Sequence, residues 1–173
     1  MSKTAAFNVR RAVESDAAAI IALRRALLVE TSFMLWEPGE FPESVDEEAQ
    51  RIGRLNARDN CLMVLAEEDG SPMGTLAAYG GETRRIRHRA TVAIGVAREH
   101  WGKGAATAML DYALRWAREQ RLRRIELTVH TSNQRAIDVY KRCGFQVEGV
   151  RRSSLLVDGN YVDEYLMAIV NEV

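Results

Sequence analysis

Between residues 92 and 107 the chain runs Val92-Ala93-Ile94-Gly95-Val96, then Ala97-Arg98-Glu99-His100, then Trp101-Gly102-Lys103-Gly104-Ala105-Ala106-Thr107. A strand-like run enters a short loop, and small residues then open a long helix. The chemistry open to such a corner is anion binding. The first backbone N–H groups of a helix lack intrahelical partners and point outward with the positive end of the dipole. Gly102 and Gly104 let the main chain approach a bulky anion, so a phosphate or pyrophosphate is the natural occupant. The same residues also suit a tight strand-to-helix turn that holds nothing.

Two familiar phosphate motifs do not fit. A dinucleotide fingerprint needs a small residue three positions after Gly104, where Thr107 stands, and a βαβ start that is missing here. A P-loop needs Gly-Lys-Ser or Gly-Lys-Thr, whereas Lys103 is followed by Gly104. The corner indicates a phosphate site without supporting an NAD enzyme or an NTPase.

The elements around the corner follow from periodicity. Phe7 to Val13 reads as an opening strand, and Ser15 can cap a helix over Asp16 to Val29 with Ile20, Leu23, Leu27 and Leu28 at helical spacing. Thr31 to Pro42 breaks the pattern yet carries Phe33, Met34, Leu35, Trp36 and Phe41, so it must cover the core edge or a ligand. Ser44-Val45-Asp46-Glu47 is a capping box for a second helix to about Asn56. Cys61 to Ala66 and Met73 to Tyr79 make a hairpin about Asp69-Gly70. Ala90 to Val96 alternates, with Val92, Ile94 and Val96 on one face. Ala106, Met109, Leu110, Ala113, Leu114 and Ala117 form the buried stripe of the next helix. Ile125 to Val129 is a short strand, and Asn133 to Arg142 a helix stopped by Gly144. Two long strands, about Phe145–Val157 and Tyr161–Val170, close on a tight turn at Asp158-Gly159. Hairpins first and helix-separated strands later predict a mixed sheet in an α/β or α+β domain.

Composition bounds the function. A length of 173 residues with 47% hydrophobic and 28% charged residues suits one globular domain, residues 1–173, with a core needing no staple. The 24 basic residues balance the 24 acidic ones, which disfavours a nucleic-acid module or an acidic-membrane face. The two cysteines, Cys61 and Cys143, form no CxxC pair, and three histidines without ligand spacing predict no metal site. Met1-Ser2-Lys3-Thr4 lacks an apolar leader, and no run reaches the roughly 20 apolar residues of a membrane span. The expected setting is the cytoplasm.

The segment Trp101-Gly102-Lys103-Gly104-Ala105-Ala106 resembles the acyl-CoA pyrophosphate loop of GNAT N-acetyltransferases, written Arg/Gln-x-x-Gly-x-Gly/Ala. Gly104 and Ala106 match; Trp101 replaces the usual Arg or Gln, which alters a side-chain contact and leaves the backbone cradle. Asn133, Ala136, Tyr140, Gly144, Phe145, Glu148 and Gly149 resemble the family's second segment, and the likeness covers most of the chain. It extends to the bacterial enzymes that acetylate amino acids, polyamines or ribosomal-protein N-termini. The resemblance implies a GNAT-like fold, a central mixed sheet of about seven strands with about four flanking helices, splayed between the strands near 90–96 and 125–129. It implies acetyl-CoA as acyl donor, bound along Ile94, Gly95, Val96, the loop from Trp101 to Thr107 (Lys103, Ala105 and Ala106 included), Asn133 and Tyr140. It also implies N–H groups near Ile94 and Val96 that polarise the thioester, and Tyr140 as general acid for the CoA thiolate. The expected activity is direct attack of a primary amine on the thioester in a ternary complex. A CoA-sensing module without turnover and a nucleotide-phosphate binder are the alternatives.

An amine must lose a proton before it attacks. At pH 7 a lysine-like amine is free in fewer than about one molecule in a thousand, a peptide α-amine in about one in ten. Candidate bases are Glu40, Glu37, Glu82 and His88, with Glu40 first because its turn lies in the apolar loop expected to roof the acceptor pocket. Phe33, Trp36, Glu40 and His88 are the expected acceptor contacts, and Glu30, Glu37, Glu40 and Glu43 would attract a cation. Arg84-Arg85-Ile86-Arg87-His88-Arg89 could bind an acceptor carboxylate or be a solvated hairpin tip. A small amine, an amino acid and a protein N-terminus all stay open as acceptors, and the long terminal strands could support a homodimer.

Overall fold

The computed structural model describes residues 7–41 and 44–172; the readings made above of Met1 to Thr4, Pro42 and Glu43 lie outside the described residues. Seven strands form one sheet. They are β1 (Asn8–Arg11), β2 (Leu62–Glu68), β3 (Ser71–Gly80), β4 (Arg89–Val96), β5 (Arg124–His130), β6 (Gln146–Val157) and β7 (Asn160–Val170), in the order β1-β2-β3-β4-β5-β7-β6. The four α-helices are α1 (Ala17–Glu30), α2 (Val45–Asn56), α3 (Ala105–Glu119) and α4 (Gln134–Arg142).

The central strands are buried on both faces, which is why β2 reads as a continuous apolar run. Met63 and Leu65 pack with Ile20, Leu23, Leu27 and Ile52 beneath α1 and α2. Leu62, Val64, Val92, Ile125 and Leu127 pack with Met109, Leu110 and Ile137 beneath α3 and α4. Ser44 caps α2 as its sequence indicates, its Oγ accepting from the Glu47 N–H at 3.3 Å. Ser15 does not cap α1: it sits inside a 3-10 turn, Glu14–Asp16, that leads into the helix. On α3 the buried stripe begins at Ala105, with Ala106 only half-buried.

The feature that positions a site is a parting in this sheet. β4 and β5 pair in parallel only at Arg89–Arg124, Ala90–Ile125 and Thr91–Glu126. On the outer sides the ladders continue, β3–β4 to Gly74–Val96 and β5–β7 to His130–Glu164. Each half-sheet therefore holds together while the two diverge from Thr91 onward. Gly95 lies on the diverging edge, in unbroken register with Thr75, so it is not a bulge. A Cβ there would stand 2.7 Å from Leu27 Cδ1, so what approaches Gly95 is a side chain of α1 and not another backbone.

Candidate active site

At the mouth of the parting, a 3-10 turn at Arg98–His100 delivers the chain to the start of α3. Gly102 and Gly104 adopt φ of 78° and 90°, left-handed values that cost an L-residue strain. Gly104 is the N-cap of α3 and no side chain caps the helix. The first intrahelical bond of the turn runs from the Ala108 N–H to the Gly104 carbonyl at 3.0 Å. The amides of Ala105, Ala106 and Thr107 precede it, and geometry leaves them pointing out of the helix end.

Side chains complete the corner unevenly. The Lys103 ammonium is drawn onto Glu68 at 3.0 Å and His100 at 3.2 Å. Trp101 donates its indole N–H to the Val96 carbonyl at 2.8 Å. The Arg135 guanidinium lies 4.4 Å from its ring centroid and that of Arg98 5.4 Å. Two guanidiniums thus lie against the Trp101 ring, that of Arg98 also donating to the Glu30 carbonyl, and the residue pattern alone points to neither. Arg135 sits just two positions after Asn133, so its proximity was the available signal.

Main-chain donors continue into the parting. The Ala97 N–H bonds to the Met73 carbonyl on the β3 side. Successive peptide groups of a strand point to alternate edges, so the N–H groups of Ile94 and Val96 face away from β3, toward the space β5 has vacated. Asn133 caps α4, its Oδ1 accepting from the Ala136 N–H at 3.2 Å. Tyr140 lies two turns further along the same face. Its ring is buried edge-on to Phe145, with centroids 5.9 Å apart. Burial, aided by Cys143, pushes its hydroxyl up to about 12, which keeps it protonated at neutral pH.

The opposite, α1-facing side carries the loop between α1 and α2. Leu28, Met34, Leu35 and Trp36 face Leu155 and Leu156 of the β6–β7 hairpin across a groove of about 470 Å³. Trp36 packs edge-on against Phe41 at 5.5 Å, and Arg24 stacks over Phe41 at 3.6 Å. Glu40 is exposed, and its carboxylate accepts from the Glu37 N–H at 2.8 Å, closing their shared turn. Glu30 is spent on the corner, accepting from the Arg98 N–H at 2.8 Å. His88 and Glu82 lie elsewhere. They precede β4, at the end where β4 and β5 remain paired, and roughly 20 Å of strand separates that end from Val96. The basic run is a surface there: Arg87 pairs with Asp59 at 2.7 Å and Arg89 with Glu126 at 3.6 Å. The structure therefore brings Phe33 and Trp36 to the open end and leaves His88 away from it, because periodicity alone does not say which end of a strand opens.

A different histidine occupies that open end. His130 ends β5, and its ring faces the α1 side because Ile125, Leu127 and Val129 take the other face. It is 5% exposed and meets Phe33 edge-on at 5.2 Å. Its Nε2 is enclosed without a hydrogen-bond partner, a cost of about 1–3 kcal/mol when left so. Burial holds the imidazole below its usual range, against the opposing pull of Glu164. Glu164 is its register partner on β7, is itself buried, and accepts from Ser154 Oγ at 2.6 Å. A bulge between Arg151 and Leu155 turns Ser154 toward it.

The sequence pattern of the Acetyltransferase (GNAT) family matches residues 27–145. The L-amino acid N-acetyltransferase AaaT of Escherichia coli is 36% identical over 121 residues, covering 68% of this chain and 73% of that protein. A crystal structure of a GNAT-family acetyltransferase from Streptococcus pneumoniae superposes with a TM-score of 0.91 at 27% identity, over 96% of this chain and 99% of that one. The structure of yncA, a putative acetyltransferase from Salmonella typhimurium with its cofactor acetyl-CoA, shares the fold at a TM-score of 0.79 and 20% identity, over 95% and 94%.

Proposed function

This chain belongs to the acetyltransferase (GNAT) family, and from that premise we propose that it acetylates the α-amine of an amino acid or an amino-acid-like small molecule. It is an acetyl-CoA-dependent N-acetyltransferase, and a non-catalytic CoA-sensing role is not favoured. The single observation that supports the site assignment is the meeting of an uncapped helix N-terminus with an unpaired strand edge in one opening. The amides of Ala105, Ala106 and Thr107 hold the pyrophosphate, with Arg135 and Arg98 adding positive charge. Asn133 offers its remaining amide N–H groups to the pantetheine arm.

The Ile94 and Val96 N–H groups hydrogen-bond the pantetheine and the thioester carbonyl, stabilising the oxyanion that forms on attack, a contact worth ~3 kcal/mol. The amine nitrogen bonds to the carbonyl carbon and the carbon–sulfur bond breaks. Tyr140, kept protonated by burial, gives its proton to the departing thiolate and recovers one from the acylated nitrogen. The acceptor enters from the α1 side through the groove beside Trp36, opposite the cofactor. Trp36, Met34 and Leu35 wall it, Glu37 adds negative charge at its rim, and Phe33 of the same loop meets His130 beside it. The amino-acid reading rests on the AaaT likeness. Thiol release from acetyl-CoA over a panel of amino acids, polyamines and N-terminal peptides tests it. Turnover strongest with amino acids is expected, and turnover confined to polyamines or peptides overturns it.

Two further parts of the reading have their own support. β6 is an edge strand, and Val147, Val150 and Leu156 are exposed along it, which favours a homodimer through that edge; a monomeric mass in solution would refute this. Cys61 and Cys143 are unpaired thiols, in keeping with a reducing cytoplasm. Among the described residues no helix is long and apolar enough to cross a membrane.

A further inference from the structure

We propose that His130 is the base that takes the proton from the acceptor amine, with Glu164 and Ser154 as its positioning residues. The inference rests on the acetyl-transfer reading and names the residue that reading leaves unassigned. Four observations carry it. His130 stands at the end of β5, beyond the point where β4 and β5 part, so it borders the opening into which Ile94 and Val96 aim their amides. Its ring lies on the α1 side, the acceptor's side, across the sheet from Tyr140. Its Nε2 has no protein partner although it is enclosed, as befits a nitrogen whose partner arrives with the substrate. Phe33, a partly exposed residue on the loop after α1, meets its ring edge-on at 5.2 Å, so an acceptor that displaces this side chain gains access to the imidazole.

The surrounding charges fit the task. Glu164 faces His130 from β7, and Arg151 is the register partner of Glu164 on β6. From the loop after α1 the Phe33 ring meets that of His130 edge-on. Burial keeps the free imidazole neutral and able to accept, while Glu164 steadies the imidazolium once formed. The proton balance closes. An ammonium acceptor gives one proton to Nε2, and the freed amine attacks. The second proton leaves the tetrahedral nitrogen for Tyr140 as Tyr140 protonates the thiolate. His130 then returns its proton to solvent, so one amide, one thiol and one released proton result.

The test is the pH profile of kcat/KM, with saturating acetyl-CoA, for wild type and three variants. Wild type should show an acid limb below the ordinary histidine value of about 6.5. His130→Gln should lower kcat about 10²-fold and erase that limb, while calorimetric CoA affinity stays within about twofold. Phe33→Ala should move the limb up by relieving burial, and Glu164→Gln should move it down by removing the carboxylate. An imidazole NMR titration of the free enzyme follows the same two shifts without turnover. Wild-type kcat and an unchanged limb in His130→Gln overturn the assignment, as does a limb that neither flanking variant moves. A wild type that transfers acetyl to no amine instead overturns the enzymatic reading on which it stands.

Discussion

The indole N–H of Trp101 donates to the carbonyl of Val96 at 2.8 Å, tying the corner before α3 to the last residue of the diverging strand. The bond occupies the Val96 carbonyl and leaves the Val96 N–H, on the same edge, for a ligand. The ring also anchors Arg135 across the opening from α4. Trp101→Phe keeps a ring for the guanidinium and loses the hydrogen bond. At about 1 kcal/mol, KM for acetyl-CoA should rise about fivefold with kcat little changed. Steady-state kinetics with varied acetyl-CoA measures both, and an unaltered KM would show that the tie does not position the loop.

Gly104 combines a φ of 90° with the N-cap position, and a Cβ there would meet no protein atom. Valine at this site would strain the backbone by about 1–3 kcal/mol and project branched carbons toward the anion's side of the helix end. CoA affinity by calorimetry should fall at least about tenfold while far-ultraviolet dichroism stays native. Undiminished affinity in Gly104→Val would remove the corner from cofactor binding.

Tyr140 has its hydroxyl pushed up to about 12 by burial, so it carries its proton across the whole neutral range. Tyr140→Phe should lower kcat by about 10²-fold or more, the scale of proton-transfer catalysis, with CoA affinity retained. No alkaline limb of the wild-type rate below about pH 11 should belong to this tyrosine. Wild-type turnover in the phenylalanine variant would exclude it from the mechanism.

Glu48 is the buried hinge between α1 and α2, with Arg51 at 2.6 Å and Arg24 at 3.0 Å. Burial pushes its carboxyl up, yet the two guanidiniums outweigh it and hold the group below its ordinary value. Glu48→Gln leaves two cations without their anion and should cost about 3–5 kcal/mol by denaturant unfolding. The sign of the pH effect follows from linkage. A depressed carboxyl stabilises the fold above its unfolded value, so the contribution is complete at neutral pH and is lost as pH falls through about 4.5 and below. The wild-type minus variant difference should shrink over that acid range. A constant difference would place the stabilisation in packing.

Much of the fold was legible because short-range rules are written in short segments. Ser44 announced its cap, Asp158-Gly159 its turn, with φ of 49° and 77°, and Val92, Ile94 and Val96 their common face. Ser15 misled because a 3-10 turn intervened before the helix proper. Glu40 drew attention by lying in an apolar loop, but its carboxylate closes the turn that holds it.

The sequence by itself determined the strand-to-helix corner, since two glycines and the start of a strongly periodic helix are contiguous. It also determined the alignment of Asn133 with Tyr140, since one helix carries both. Only the tertiary structure decided which histidine stands at the open end of the parting beside Phe33. His88 precedes β4 and His130 ends β5, and only the parallel pairing of the two strands, closed at Arg89–Arg124 and parted beyond Thr91, puts His130 at the open end. Burial, the edge of Phe33 and the facing carboxylate of Glu164 come from distant parts of the chain. A side chain's proton affinity depends on neighbours in space, and strand pairing chooses those neighbours.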